Sequence, residues 1–126
     1  MTVDDSASMR RMITFTLKSA NHEVIEAVDG RDALSKLNGS PIHLVITDIN
    51  MPNMNGIELV YALRSLPQFK FVPIVMLTTE MQVSKKLECK KAGATGFISK
   101  PFRPEQLLMA ARKLLRDFPN NNLPEM

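Results

Sequence analysis

The stretch Ile42-His43-Leu44-Val45-Ile46-Thr47-Asp48-Ile49-Asn50-Met51-Pro52-Asn53-Met54-Asn55-Gly56 decides the fold. It opens as an apolar run from Ile42 to Thr47, is closed by Asp48, and continues as a loop rich in Asn, Pro and Gly. Apolar runs of this length, set between helical patterns, read as parallel strands buried on both faces. Three other runs end in the same manner. Met1-Thr2-Val3 ends at Asp4-Asp5, Pro73-Ile74-Val75-Met76-Leu77 at Thr78, and Gly96-Phe97-Ile98-Ser99 at Lys100-Pro101. In an open α/β sheet, ligand chemistry gathers outside the carboxyl ends of the strands. The four polar signals therefore converge on one place. Carboxylates, a hydroxyl and a lysine gathered there suit a divalent cation beside a phosphoryl group.

Working outward, the chain alternates strand and helix five times. Residues 7–20 put Met9, Met12, Ile13 and Leu17 on one helical face. Residues 22–28 read as a strand running into the Asp29-Gly30 turn. Ala33, Leu34 and Leu37 make a short helix stopped by Asn38-Gly39. Helices are predicted over 57–66, over 81–92 with a stop at Gly93, and over 103–118, where Pro104 suits the first turn. The last of these carries a stripe of Leu107, Leu108, Ala111, Leu114, Leu115 and Phe118. Residues 119–126 are polar and proline-bounded and read as a flexible tail. This alternation means an α/β domain, a parallel sheet with helices on both faces.

Composition narrows the function classes. A chain of 126 residues with 44% hydrophobic content suits one domain with a real core. No apolar run approaches the ~18 residues of a membrane span, and the N-terminus lacks the basic and apolar regions of a secretion signal. The only cysteine, Cys89, has no internal disulfide partner, which fits a reducing cytoplasm. Net charge is +3, unevenly spread. Residues 1–63 carry five Lys/Arg against eight Asp/Glu, and residues 64–126 carry eleven against five. The excess base falls on Lys85, Lys86, Lys90 and Lys91, then on Arg112, Lys113 and Arg116. Without interleaved aromatics or a DNA-reading motif, these runs read as solvated helix faces; neither nucleic acid nor a membrane is expected as a direct partner.

The candidate site has a coherent chemistry. Mg²⁺ takes hard oxygen ligands, typically one or two carboxylates plus waters and a phosphate oxygen. Asp5 and Asp48, at the ends of adjacent strands, can supply those carboxylates, with Asp4 holding a coordinated water. Three carboxylates together repel one another unless a cation offsets them. A carboxylate is also a nucleophile in enzymes that form an aspartyl-phosphate. Phosphoryl transfer then needs in-line positioning and charge stabilisation on the equatorial oxygens, which Mg²⁺, Lys100 and Thr78 can share. Each signal alone is unspecific. Their joint placement at four strand ends is not.

With these residues in view, the chain resembles the receiver domain of two-component response regulators. The resemblance rests on Val3-Asp4-Asp5, Asp48 followed by Met51-Pro52 and Asn55-Gly56, Thr78, Ala92-Gly93-Ala94, and Lys100-Pro101-Phe102. It runs in one register from Met1 to about Phe118. Asp4 to Arg11 and Asn50 to Gly56 look most like the single-domain chemotaxis CheY-type branch. The resemblance implies a flavodoxin-like (βα)5 three-layer sandwich with a five-stranded parallel sheet of order 2-1-3-4-5. It implies a receiver over 1–118 that is monomeric and cytoplasmic. Asp48 would accept a phosphoryl group from a histidine kinase. Asp5, Asp48 and the Asn50 backbone carbonyl would bind Mg²⁺, with Asp4 acting through water. Lys100 would contact the phosphoryl group and precede a cis peptide to Pro101. Thr78 and Phe97 would form the switch that changes the binding of a downstream protein, such as a flagellar motor switch or phosphorelay component.

Three positions depart from the family pattern. Only three residues precede Asp4, so the first strand is short and the domain is expected to be marginal. Phe97 carries no hydroxyl, and Thr79 stands where the family favours something smaller. Other readings are weaker. A phosphatase forming an aspartyl-phosphate usually shows Asp-x-Asp, but Asn50 stands two residues after Asp48, and the chain has no room for a substrate cap. The protein is thus expected to catalyse only its own phosphorylation and dephosphorylation. The receiver part of a larger DNA-binding regulator, a phosphorelay intermediate and a phosphate sink would all use the same pocket.

Overall fold

The computed structural model describes residues 1–37 and 39–118. The Asn38 stop and the expected tail 119–126 lie outside the described residues. Five strands, β1 (Thr2–Val3), β2 (Glu26–Ala27), β3 (Val45–Asp48), β4 (Ile74–Thr78) and β5 (Gly96–Ser99), form one sheet in the order β2-β1-β3-β4-β5. Every neighbouring pair is parallel. The helices are α1 (Ala7–Ser19), α2 (Gly30–Ser35), α3 (Gly56–Arg64), α4 (Lys86–Ala92) and α5 (Pro104–Asp117).

Side-chain alternation along the strands divides the core into two layers. On one face Val3, Val45, Ile74 and Met76 pack with Ala33 of α2, Leu59, Val60 and Leu63 of α3, and Cys89 and Ala92 of α4. On the other, Ile46, Val75 and Leu77 pack with Ile13 and Leu17 of α1 and Leu107 and Ala111 of α5. Burial on both faces is why β3 and β4 appear in the sequence as unbroken apolar runs.

The helix ends follow local chemistry. The Ser6 hydroxyl caps α1 by accepting from the Met9 N–H at 3.3 Å. Asn55 and Glu58 form a reciprocal capping box at α3. Gly93, at φ +116°, ends α4 in the left-handed conformation open to glycine. Two expectations shift. The predicted strand 22–28 pairs only at Glu26–Ala27, because β1 offers it just two residues. The predicted helix 81–92 begins as a 3-10 segment, Glu80–Lys85, and becomes α-helical only from Lys86. There the Gln82 N–H donates to the Thr79 carbonyl at the tighter three-residue spacing, and the Gln82 side chain accepts from the Thr79 N–H. Among the described residues, no helix is long and apolar enough to cross a membrane.

Candidate phosphorylation and metal site

The carboxyl ends of β1, β3, β4 and β5 bring the sequence-predicted residues together. One carboxylate oxygen from each of Asp4, Asp5 and Asp48 lies within 4.8 Å of the others. Asp48 ends β3 and is buried, and its Oδ1 accepts from the Ile49 N–H at 2.9 Å and from Lys100 Nζ at 3.1 Å. Lys100 follows β5 and precedes a cis peptide to Pro101. Its backbone N–H donates to the Thr78 carbonyl at 2.6 Å, tying the end of β5 to the end of β4. Thr78 is buried beside this junction. Phe97, on β5, is half-buried and lies opposite Met76 in the ladder.

Asp4 carries the strongest electrostatic signature. It is fully buried; its Oδ1 accepts from the Ser6 N–H at 2.9 Å, but its Oδ2 has no hydrogen-bond partner. Burial pushes its carboxyl above the ordinary value; the Ser6 N–H opposes this, Asp48 adds repulsion, Lys100 offsets part of it, and Asp5 adds further repulsion. A buried carboxylate oxygen without a donor, facing two more carboxylates, is the environment that a divalent cation with its waters would satisfy. The donor set is all hard oxygen, which fits Mg²⁺.

Two supports escaped the sequence reading. Arg10 donates to the Asp4 carbonyl at 2.7 Å and pairs with Glu26 at 3.1 Å, pinning the acidic loop to β2. Lys85 Nζ donates to Asn50 Oδ1 at 3.1 Å, bridging the segments that follow β4 and β3. Its partner is 35 positions away, so no local pattern announces the contact. Gly56 was visible as a motif without its reason. A Cβ there would overlap the Asp48 carbonyl oxygen, while the Gly56 N–H donates to the Ile49 carbonyl at 2.7 Å.

Residues 1–112 match the model of the response regulator receiver domain. The chain belongs to the response-regulator receiver family. It is 44% identical over 109 residues to the chemotaxis protein CheY1 of Helicobacter pylori, covering 85% of this chain and 88% of that one. It is 41% identical over 109 residues to the chemotaxis protein CheY homolog of Campylobacter jejuni, covering 85% and 84%. Among solved structures, the chemotaxis response regulator CheY4 of Vibrio cholerae superposes with a TM-score of 0.85 at 49% identity, covering 90% of this chain and 95% of that one. The order 2-1-3-4-5 and the five flanking helices are those of the CheY-like receiver fold. The protein is thus a CheY-like receiver of two-component signalling, and the match spans nearly the whole chain. Receiver domains bind Mg²⁺ at an acidic aspartate cluster, and Asp4, Asp5 and Asp48 form such a cluster here.

Proposed function

We propose that residues 1–118 act as a phosphorylation switch in chemotaxis, with Asp48 as the phosphoacceptor. The observation that carries this reading is the contact of Lys100 Nζ with Asp48 Oδ1 at 3.1 Å, beside carboxylates gathered within 4.8 Å. A cation of the protein's own at the acceptor is what an incoming phosphoryl dianion needs. A carboxylate oxygen of Asp48 forms the new bond to phosphorus while the phosphorus–nitrogen bond of a kinase phosphohistidine breaks, its electron pair staying on the imidazole. Water later cleaves the acyl phosphate, returning Asp48 and inorganic phosphate. Asp5, Asp48 and the Asn50 backbone carbonyl would hold Mg²⁺, with Asp4 engaged through water. When bound, the ion shares the charge of the phosphoryl oxygens. Lys100 takes one equatorial oxygen, and Thr78 moves toward another. Phe97 follows Thr78 inward and remodels the face built by α4, β5 and α5.

On this reading the chain processes no substrate other than its own acyl phosphate. It works as a monomer in the cytoplasm, between a histidine kinase and a downstream protein such as a flagellar motor switch. The likeness to chemotaxis proteins supports that setting. The test is phosphoryl incorporation from a small donor such as acetyl phosphate with Mg²⁺. Wild type should take up a single phosphoryl group, with acyl-phosphate lability, and Asp48→Asn should take up none. Incorporation by Asp48→Asn at the wild-type rate sinks the assignment. Unlimited turnover of small phosphate esters would instead point to a phosphatase.

A further inference from the structure

Lys86 Nζ stands 5.4 Å from the centroid of the Phe97 ring. An ammonium over an aromatic face is attracted by the ring quadrupole. Lys86 is half-buried at the start of α4, where the helix continues directly from the 3-10 segment Glu80–Lys85. Among the described residues, the ion pairs do not include Lys86.

The half-buried ring of Phe97 packs against the core layer beneath α3 and α4, on a strand whose ladder partner, Met76, lies two residues before Thr78. With no hydroxyl, the ring cannot be held by a hydrogen bond in any position. Packing and the Lys86 ammonium are what hold it. A ring turned inward toward the space left by Thr78 would leave the ammonium behind, so the contact favours one of the two positions only. A differential contact of this kind shifts a two-state equilibrium.

We propose that Lys86 is a positioning residue that holds Phe97 in its resting place and so sets the threshold of the phosphorylation switch. The inference rests on the reading of Phe97 as the moving aromatic. Removing the charge while nearly keeping the length, as in Lys86→Gln, releases the ring toward its inward position before any phosphoryl group arrives. Lys86→Arg keeps a cation that stacks on aromatic faces and preserves the threshold. By linkage, whatever favours the inward ring also favours occupancy at Asp48.

The experiment uses beryllofluoride with Mg²⁺ as the phosphoryl mimic, and 4-fluorophenylalanine at position 97 as a ¹⁹F probe. In wild type the mimic should bind and move the ¹⁹F signal. Lys86→Gln should bind the mimic about two- to five-fold more tightly, the factor expected of an exposed cation–π contact. Its mimic-free ¹⁹F signal should already sit part-way to the bound position, and Lys86→Arg should match wild type in both respects. Mere loss of stability would not tighten mimic binding. Equal affinity and identical spectra for wild type and Lys86→Gln overturn the role of Lys86. If wild type fails to bind the mimic, or binds it without moving the ¹⁹F signal, the phosphorylation site or the aromatic switch itself is overturned, and this inference with it.

Discussion

Asp4 is the carboxylate that the fold buries completely, whereas Asp5 beside it stays exposed. The two neighbours should therefore answer differently to neutralisation. Asp5→Asn removes a proposed direct ligand and should weaken Mg²⁺ binding, read by titration calorimetry, more than Asp4→Asn does. Loss of a group acting through a ligand's water typically costs about 10–100-fold in metal affinity. In metal-free protein the order of effects on stability is different. Asp4 pays for burial and for the repulsion of Asp48, so Asp4→Asn should raise the melting temperature without Mg²⁺. Burial, not adjacency in the chain, sets the penalty. An Asp4→Asn protein that melts no higher than wild type in the absence of metal would refute this.

The elements that sequence reasoning read best are those whose identity is local. The interior strands β3 and β4 and the edge strand β5 are apolar runs bounded by polar signals, and their ends fall where the site residues lie. β2 was overdrawn because the length of an edge strand depends on its partner, and β1 supplies only Thr2–Val3. The 3-10 start before α4 was missed because the Gln82–Thr79 bonds compete with the α-helical pattern without changing its apolar spacing. The positions of Asp48 and Lys100 beside one another and the cis peptide were legible through the family motifs; the Lys85–Asn50 bridge and the Lys86–Phe97 contact were not, since each joins residues of different elements. Gly56 lies between these cases. Its added Cβ would overlap the Asp48 carbonyl oxygen in a segment fixed by the Asn55–Glu58 box. Gly56→Ala should thus destabilise by about 1–3 kcal/mol, as overpacking usually does, and should slow phosphorylation by displacing Asp48. Denaturant unfolding and single-turnover labelling check the two effects.

The shortness of β1 has a further consequence at its start. The Met1 ammonium donates to the Leu44 carbonyl at 2.8 Å, and burial lowers its pKa from 8.0 to about 5. Between those values the unfolded chain binds a proton that the folded chain does not, so stability should rise as pH climbs from about 5 to 8. A cavity of about 530 Å³ opens at the same end, lined by Met1, Val24, Ile25, Ile42 and Leu44 among others. Residues flanking β2 and β3 supply most of its wall, with Leu17 of α1 and Ala111 and Leu115 of α5. Two or three β-branched residues added before Met1 should fill it, raise the melting temperature and flatten this part of the pH profile. A large side chain so buried contributes about 1.5–3 kcal/mol. Unchanged melting across pH 5–8 with the added residues would show that β1 is complete as it stands.

At the scale of the molecule, α4 and α5, the helices of the proposed output face, both carry exposed apolar side chains, and α4 carries exposed charge as well. Lys90 and Lys91 are exposed on α4, Leu87 of the same helix is 63% exposed, and Met109 of α5 is 69% exposed. Basic side chains around bare apolar ones suit an acidic, amphipathic partner segment, whose attraction should weaken as salt rises. The acidic site at the strand ends and this basic face lie on opposite sides of the charge division seen in the sequence, and β5 connects them. Gly96–Ser99 pairs with Val75–Thr78, carries Phe97, and leads directly into Lys100. A useful signal needs about 1–3 kcal/mol of coupling between phosphorylation and partner binding. Phe97→Ala removes the side chain proposed to carry that coupling while leaving Asp48, Lys100 and the carboxylate cluster in place. It should therefore still take up a phosphoryl group but lose most of the affinity gain for the partner, measured with and without beryllofluoride. A variant that gains as much as wild type would show that the coupling runs through the backbone of the loop after Thr78, and not through the aromatic ring.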